Sequence, residues 1–133
     1  MLIDYKKDSF NAKVINDYAM FANSDNKYLS IGDKASFDLF KKAYDLGYSD
    51  AYEGIANHYV KLYKYDELIS FLTEHVKKYK KDNKAKIYLA DLLFTRAKDD
   101  KKMYKKAVEI YEANIKLLTD EQIDRLSKAY IEG

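Results

Sequence analysis

Leu39-Phe40-Lys41-Lys42-Ala43-Tyr44-Asp45-Leu46-Gly47-Tyr48-Ser49-Asp50-Ala51-Tyr52-Glu53-Gly54-Ile55-Ala56-Asn57-His58-Tyr59 is the stretch on which the reading of this chain turns. Leu39, Phe40 and Ala43 recur at helical spacing, and Gly47 stops that helix. Ser49 is placed to cap the next helix, where Ala51, Ile55, Ala56 and Tyr59 form a second apolar stripe. The stretch reads as two amphipathic helices joined by a tight turn and meeting at small residues.

The composition fits an all-helical chain built on that plan. There are 133 residues, 47% of them hydrophobic, enough for one domain over 1–133 with a real core. Proline is absent and glycine occurs only at 32, 47, 54 and 133, so few residues interrupt a helix. With no cysteine, disulfides and thiolate metal sites are excluded. Lysine and arginine number 24 against 22 acidic residues, and a net charge of +2 gives little reason to expect a nucleic-acid partner. Charges at Asp4, Lys6, Lys7 and Asp8 interrupt the apolar core a secretory signal needs, and no stretch has the length of a membrane span. Localisation is therefore unassigned, with the cytoplasm as the default and a periplasmic or secreted place open if the gene product is longer.

Taken in order, the spacing predicts seven helices. Asn11 to Asn23 carries the stripe Val14, Ile15, Tyr18, Ala19 and Ala22, and the polar run through Lys27 is a loop. Lys34 to Leu46 follows with Asp33 as N-cap, then Ser49 to Leu62. A fourth helix enters at Tyr65 with Leu68, Ile69, Phe71, Leu72, His75 and Val76 on one face, and basic residues 77–81 close it. Asp82-Asn83 caps a fifth, striped by Ala85, Leu89, Ala90, Leu93 and Phe94. The sixth covers Lys102 to Leu117, and Thr119 with Gln122 forms a capping box for the seventh, striped by Ile123, Leu126, Ala129 and Tyr130.

The helices also repeat. Tyr18-Ala19, Ile55-Ala56, Leu89-Ala90 and Leu126-Ser127 fall at one level of the odd-numbered helices, spaced 37, 34 and 37 residues apart. Leu39-Phe40, Phe71-Leu72 and Ile110-Tyr111 align in the even-numbered ones. Two series with one order and nearly one period favour a right-handed α-solenoid of antiparallel helix hairpins over an irregular bundle.

The junction at 39–59 resembles that between consecutive tetratricopeptide units, in particular the Sel-one-like repeat subclass. A bulky pair precedes Lys41-Lys42-Ala43, Gly47 comes four residues after that Ala, Ala51 four after the Gly, and then Ile55-Ala56-x-x-Tyr59. On this resemblance the repeats are about 11–47, 49–81 and 83–118, with a half repeat 119–133, and the chain is expected to be a piece of a longer protein. His75 and Asn114 stand where the first repeat has Ala43, which calls for looser packing there.

The resemblance implies a non-catalytic scaffold or adaptor that binds a protein or peptide partner in a concave groove, often in bacteria. It places Asn16, Met20 and Asn23, then Asp50, Glu53, Asn57 and Lys61, then Lys84, Ile87, Asp91 and Phe94, and finally Asp124 and Lys128 along that groove. Asn57 and Lys84 match two positions of the clamp with which chaperone-binding members hold a carboxylate. Glu53 and Tyr88 stand where that clamp needs a lysine and an arginine, so a partly aromatic, polar peptide or a folded partner fits better.

Other chemistry finds less support in the residues. His58 and His75 are the two histidines, and His75 lies on an apolar stripe as a structural histidine does. The acidic pairs Asp50/Glu53, Asp66/Glu67 and Asp120/Glu121 open helices, where they complement the helix dipole. No phosphate-binding loop, nucleophile elbow or zinc-helix motif occurs, so neither an enzyme nor a cofactor or metal is expected. The Lys77 to Lys86 run, with Tyr79 among its lysines, keeps nucleic acid or phosphate as an alternative ligand.

Overall fold

A computed structural model describes residues 5–23, 32–96 and 99–132. The polar run expected as a loop after Asn23 lies outside them. The chain is all-α. Among the described residues there are seven α-helices and no strand: α1 Tyr5–Asn23, α2 Asp33–Asp45, α3 Tyr52–Lys61, α4 Tyr65–Lys78, α5 Asn83–Arg96, α6 Lys101–Ala113 and α7 Asp120–Glu132. Two compact units, Met1–Lys64 and Tyr65–Gly133, divide them.

In the first unit α2 packs on α1, and α3 packs on α2. Ala12, Ala19 and Ala22 of α1, Phe40 and Ala43 of α2, and Tyr52, Ile55 and Ala56 of α3 are buried. The α1 stripe is rotated from the one its apolar residues predict, since Val14 and Tyr18 are exposed and the polar Asn16 is inside. Alanines bring the helix backbones close, and that proximity decides the buried face more than the bulk of Val14 or Tyr18 does.

Turn chemistry explains where the helices stop. After α2, Tyr48 N donates to Ala43 O (3.1 Å) and Gly47 N to Tyr44 O (2.9 Å), a Schellman motif with Gly47 at φ +103°. After α3 the same pair recurs, from Lys64 N to Tyr59 O (2.9 Å) and from Tyr63 N to Val60 O (3.0 Å). Here the left-handed position is filled by Tyr63 at φ 57°, where glycine is the usual choice.

Caps differ in part from expectation. Asp33 lies inside α2, whose N-cap is Gly32, and Ser49 makes no side-chain cap because Ser49–Ala51 form a 3-10 turn ahead of α3. The sixth helix stops at Ala113, and Ile115–Leu117 form another 3-10 turn. Asp82 Oδ1 accepts from Ala85 N (3.1 Å) at the start of α5, and Asp100 caps α6. The Thr119 capping box forms with both of its bonds, Thr119 N to Gln122 Oε1 (2.8 Å) and Gln122 N to Thr119 Oγ1 (3.2 Å).

In the second unit α5 packs against both α4 and α6, and α7 against α6. Ala85, Ile87, Leu89, Ala90, Leu92, Leu93 and Phe94 of α5 are all buried, so this helix is apolar on more than the one face its stripe predicts. The fully buried His75 faces Asp82 Oδ2 at 2.8 Å from its Nε2. A carboxylate only accepts, so Nε2 carries the hydrogen, and one aspartate both caps α5 and ties α4 to it.

Candidate functional site

The first unit contains a groove of about 240 Å³. Three helices line it with residues at helical spacing: Asn16 and Met20 from α1; Asp33, Ser36, Phe37 and Phe40 from α2; and Asp50, Glu53, Gly54, Asn57, His58 and Lys61 from α3 and the 3-10 turn before it. Of the expected groove positions from Asn16 to Lys61, Asn16, Met20, Asp50, Glu53, Asn57 and Lys61 line this groove. The side chain of Asn23 lies outside the described residues.

Gly54 makes room on α3 for the Phe40 ring. A Cβ built on it falls inside 3.0 Å of Phe40 Cγ, Cδ1 and Cδ2, so the buried Phe40 ring lies flat where any side chain would stand. His58 stacks on Phe37 with ring centroids 4.1 Å apart and planes 21° apart. Loss of solvent around His58 lowers its pKa, which keeps the imidazole neutral around neutral pH. Lys61 Nζ donates to Asp33 Oδ1 at 3.4 Å across the rim, a solvated pair of small energetic weight.

Two polar atoms in this groove are exceptional. Asn16 is 5% exposed and Ser36 1% exposed, and neither Asn16 Oδ1 nor Ser36 Oγ has a hydrogen-bond partner among the described residues. Asn16 spends its amide on Met20 Sδ (Nδ2 to Sδ 3.5 Å), a weak acceptor. A buried polar atom without a partner costs on the order of 1–3 kcal/mol.

The second unit treats its predicted groove positions differently. Asp91 is a structural hub, because Tyr111 OH donates to its Oδ1, Gln122 Nε2 reaches Oδ1 and Oδ2 at 3.3 and 3.2 Å, and Arg125 Nη1 reaches Oδ1 at 3.3 Å. Burial and the adjacent carboxylate raise the Tyr111 pKa, so the phenol stays a donor to Asp91. Ile87 is buried, and Phe94 is buried against Tyr104 (5.2 Å) and Tyr111 (4.7 Å). Phe94, Asp124 and Lys128 border a wide, shallow depression, in which Lys128 Nζ pairs with Asp124 Oδ2 at 3.1 Å. Lys84 is exposed at the first turn of α5.

The basic run meets local partners: Lys77 Nζ lies 3.4 Å from Glu74 Oε1, Lys78 sits over the Tyr79 ring at 5.5 Å, and Lys86 Nζ donates to Lys80 O. Among the described residues no group of histidines and carboxylates gathers to hold a metal ion, and no helix is long and apolar enough to cross a membrane.

Sequence reasoning did not anticipate the contribution of α2. Asp33, Ser36, Phe37 and Phe40 belong to the second helix of a hairpin, which the repeat resemblance turns away from the groove. The available signal was Gly54, an isolated glycine inside a helical pattern, which marks a close approach. No protein-family model, curated protein or solved structure matches the chain.

Proposed function

We propose that this chain is a non-catalytic interaction module, built of helical hairpins of the tetratricopeptide-like kind, whose first unit takes up an extended segment of a partner protein. One observation supports this reading: Asn16, Met20, Asp50, Glu53, Asn57 and Lys61 line one groove, in which Asn16 Oδ1 and Ser36 Oγ are buried with no hydrogen-bond partner among the described residues. The groove is smaller than the roughly 300–1,000 Å³ of a drug-sized ligand site, and it suits one or two side chains of a peptide. Binding to a preformed surface of packed helices loses little entropy on the scaffold side, so a few contacts suffice for micromolar affinity.

Selection of a displayed random peptide library on the full chain tests the proposal. Enriched peptides are expected to bind the wild type and to lose at least tenfold in affinity on Asn57→Trp, which blocks the groove from an exposed position. Enriched peptides indifferent to that substitution overturn the groove as the binding surface.

A further inference from the structure

We infer that the groove of the first unit is a receptor for the cationic side chain of an arginine or lysine in a basic partner segment, with arginine preferred. The inference rests on the groove being the binding surface, and adds what it recognises.

The floor supplies the first argument. Asn16 Oδ1 is a carbonyl oxygen and can only accept, and neither it nor the equally buried Ser36 Oγ has a hydrogen-bond partner among the described residues. A ligand that satisfies Asn16 Oδ1 must bring a hydrogen-bond donor, whereas Ser36 Oγ can accept or donate. A deprotonated carboxylate brings no donor to Asn16 Oδ1.

The rim supplies the second. Asp33, Asp50 and Glu53 border the groove, against Lys61 as the only lysine or arginine among its described lining residues, and Lys61 is paired with Asp33. His58 adds no charge while its imidazole is neutral. The excess of carboxylates draws a cation and repels an anion, independently of what the floor selects.

The wall supplies the third. The half-buried Phe37 and the mostly buried Phe40 contribute aromatic carbon to the lining, a surface that suits the stem and the flat face of a guanidinium. Guanidinium carries five donors in a fixed plane and is weakly hydrated, so it satisfies floor and rim together at a lower desolvation cost than an ammonium. A groove of about 240 Å³ takes one such side chain in extended form.

The test uses the full chain labelled with nitrogen-15 and four capped tripeptides, Gly-X-Gly with X as arginine, lysine, citrulline or glutamate. Arginine is expected to shift the amides of Ser36, Gly54 and Asn57 saturably, with citrulline and glutamate at least tenfold weaker and lysine between. Asp50→Lys with Glu53→Lys, both at exposed positions, should weaken the arginine peptide at least tenfold, and Asn16→Leu should do so with the fold retained by circular dichroism. Equal binding of arginine and citrulline overturns the inference, as do shifts spread evenly over other acidic surfaces. Display-selected peptides that occupy the groove without a basic residue would sink the cation assignment and leave the binding groove standing. If neither those peptides nor the arginine tripeptide shifts the groove, both readings fall.

Discussion

Replacing Gly54 by alanine sets two effects of opposite sign against each other. Gly54 lies inside α3, and on helix propensity alone the change gains about 1 kcal/mol. Against this, the added Cβ would sit inside 3.0 Å of three carbons at the root of the Phe40 ring. Phe40 is 5% exposed, and overpacking against a buried ring costs about 1–3 kcal/mol. Three contacts at the stiff end of the ring place the cost at the upper end of that range, and the net effect is a loss of about 1–2 kcal/mol. At this chain length about 1 kcal/mol moves the midpoint by roughly 3–5 °C, so thermal unfolding by circular dichroism should show Tm down by about 5 °C. Phe40→Leu alone should also destabilise, by about 1 kcal/mol, yet the pair should cost less than the sum by at least about 1 kcal/mol. A stabilised Gly54→Ala, or strict additivity with Phe40→Leu, would refute the packing of this ring on the α3 backbone.

Other substitutions probe other parts of the molecule. Tyr63→Gly should raise stability by about 0.5–1 kcal/mol, because Tyr63 is 80% exposed and held at φ 57°, and an unchanged or lowered Tm would contradict the left-handed turn. Asp91→Ala should cost about 2 kcal/mol by leaving Tyr111 OH and Gln122 Nε2 without their Asp91 acceptor, read as a lower urea midpoint with m unchanged; a surface-like change under 0.5 kcal/mol would remove the hub. Asn16→Leu should raise Tm, since it removes an unsatisfied buried carbonyl while filling its volume, and a fall in Tm would mean that Oδ1 is satisfied within the fold. His58 titrates lower in the folded chain than the ordinary value near 6.5, through loss of solvent first and then Lys64 and Lys61, opposed by Asp33 and Asp38. Between the two values the unfolded chain binds more protons, so acidification from about pH 7.5 to below 6.5 should erode wild-type stability relative to His58→Gln, and parallel or diverging curves would contradict it.

How much of this was legible in the sequence depended on range. Asp82 and the Thr119–Gln122 box read correctly or nearly so, because a cap is settled by residues two to three positions apart, whereas Asp33 and Ser49 fell a residue or a 3-10 turn away from the true helix start. The Gly47 turn was equally local. Tyr63 was not, since tyrosine carries no signal for a left-handed turn and its conformation follows from where α3 must end. The face of α1 was misread because apolar periodicity favours Val14 and Tyr18, whereas close packing of alanines turned Asn16 inward. The same long-range cause hid Ser36 and the hub at Asp91, whose partners stand 20 to 34 residues away. Transfer from the repeat resemblance assembled the α1 and α3 side of the groove and missed α2, because it assigns each helix a fixed role whatever its side chains do.

The proposal that the groove of the first unit binds a partner is tested most directly by photo-crosslinking. A benzophenone amino acid placed at Asn57, exposed within the groove, is compared with the same residue at Ile115 and Ile131, which are 52% and 85% exposed in the second unit. With a display-selected peptide and brief irradiation, crosslinks should form from position 57 and be suppressed by excess arginine tripeptide. Equal yields from all three positions, or yield confined to 115 or 131, would contradict a partner seated in the groove of the first unit.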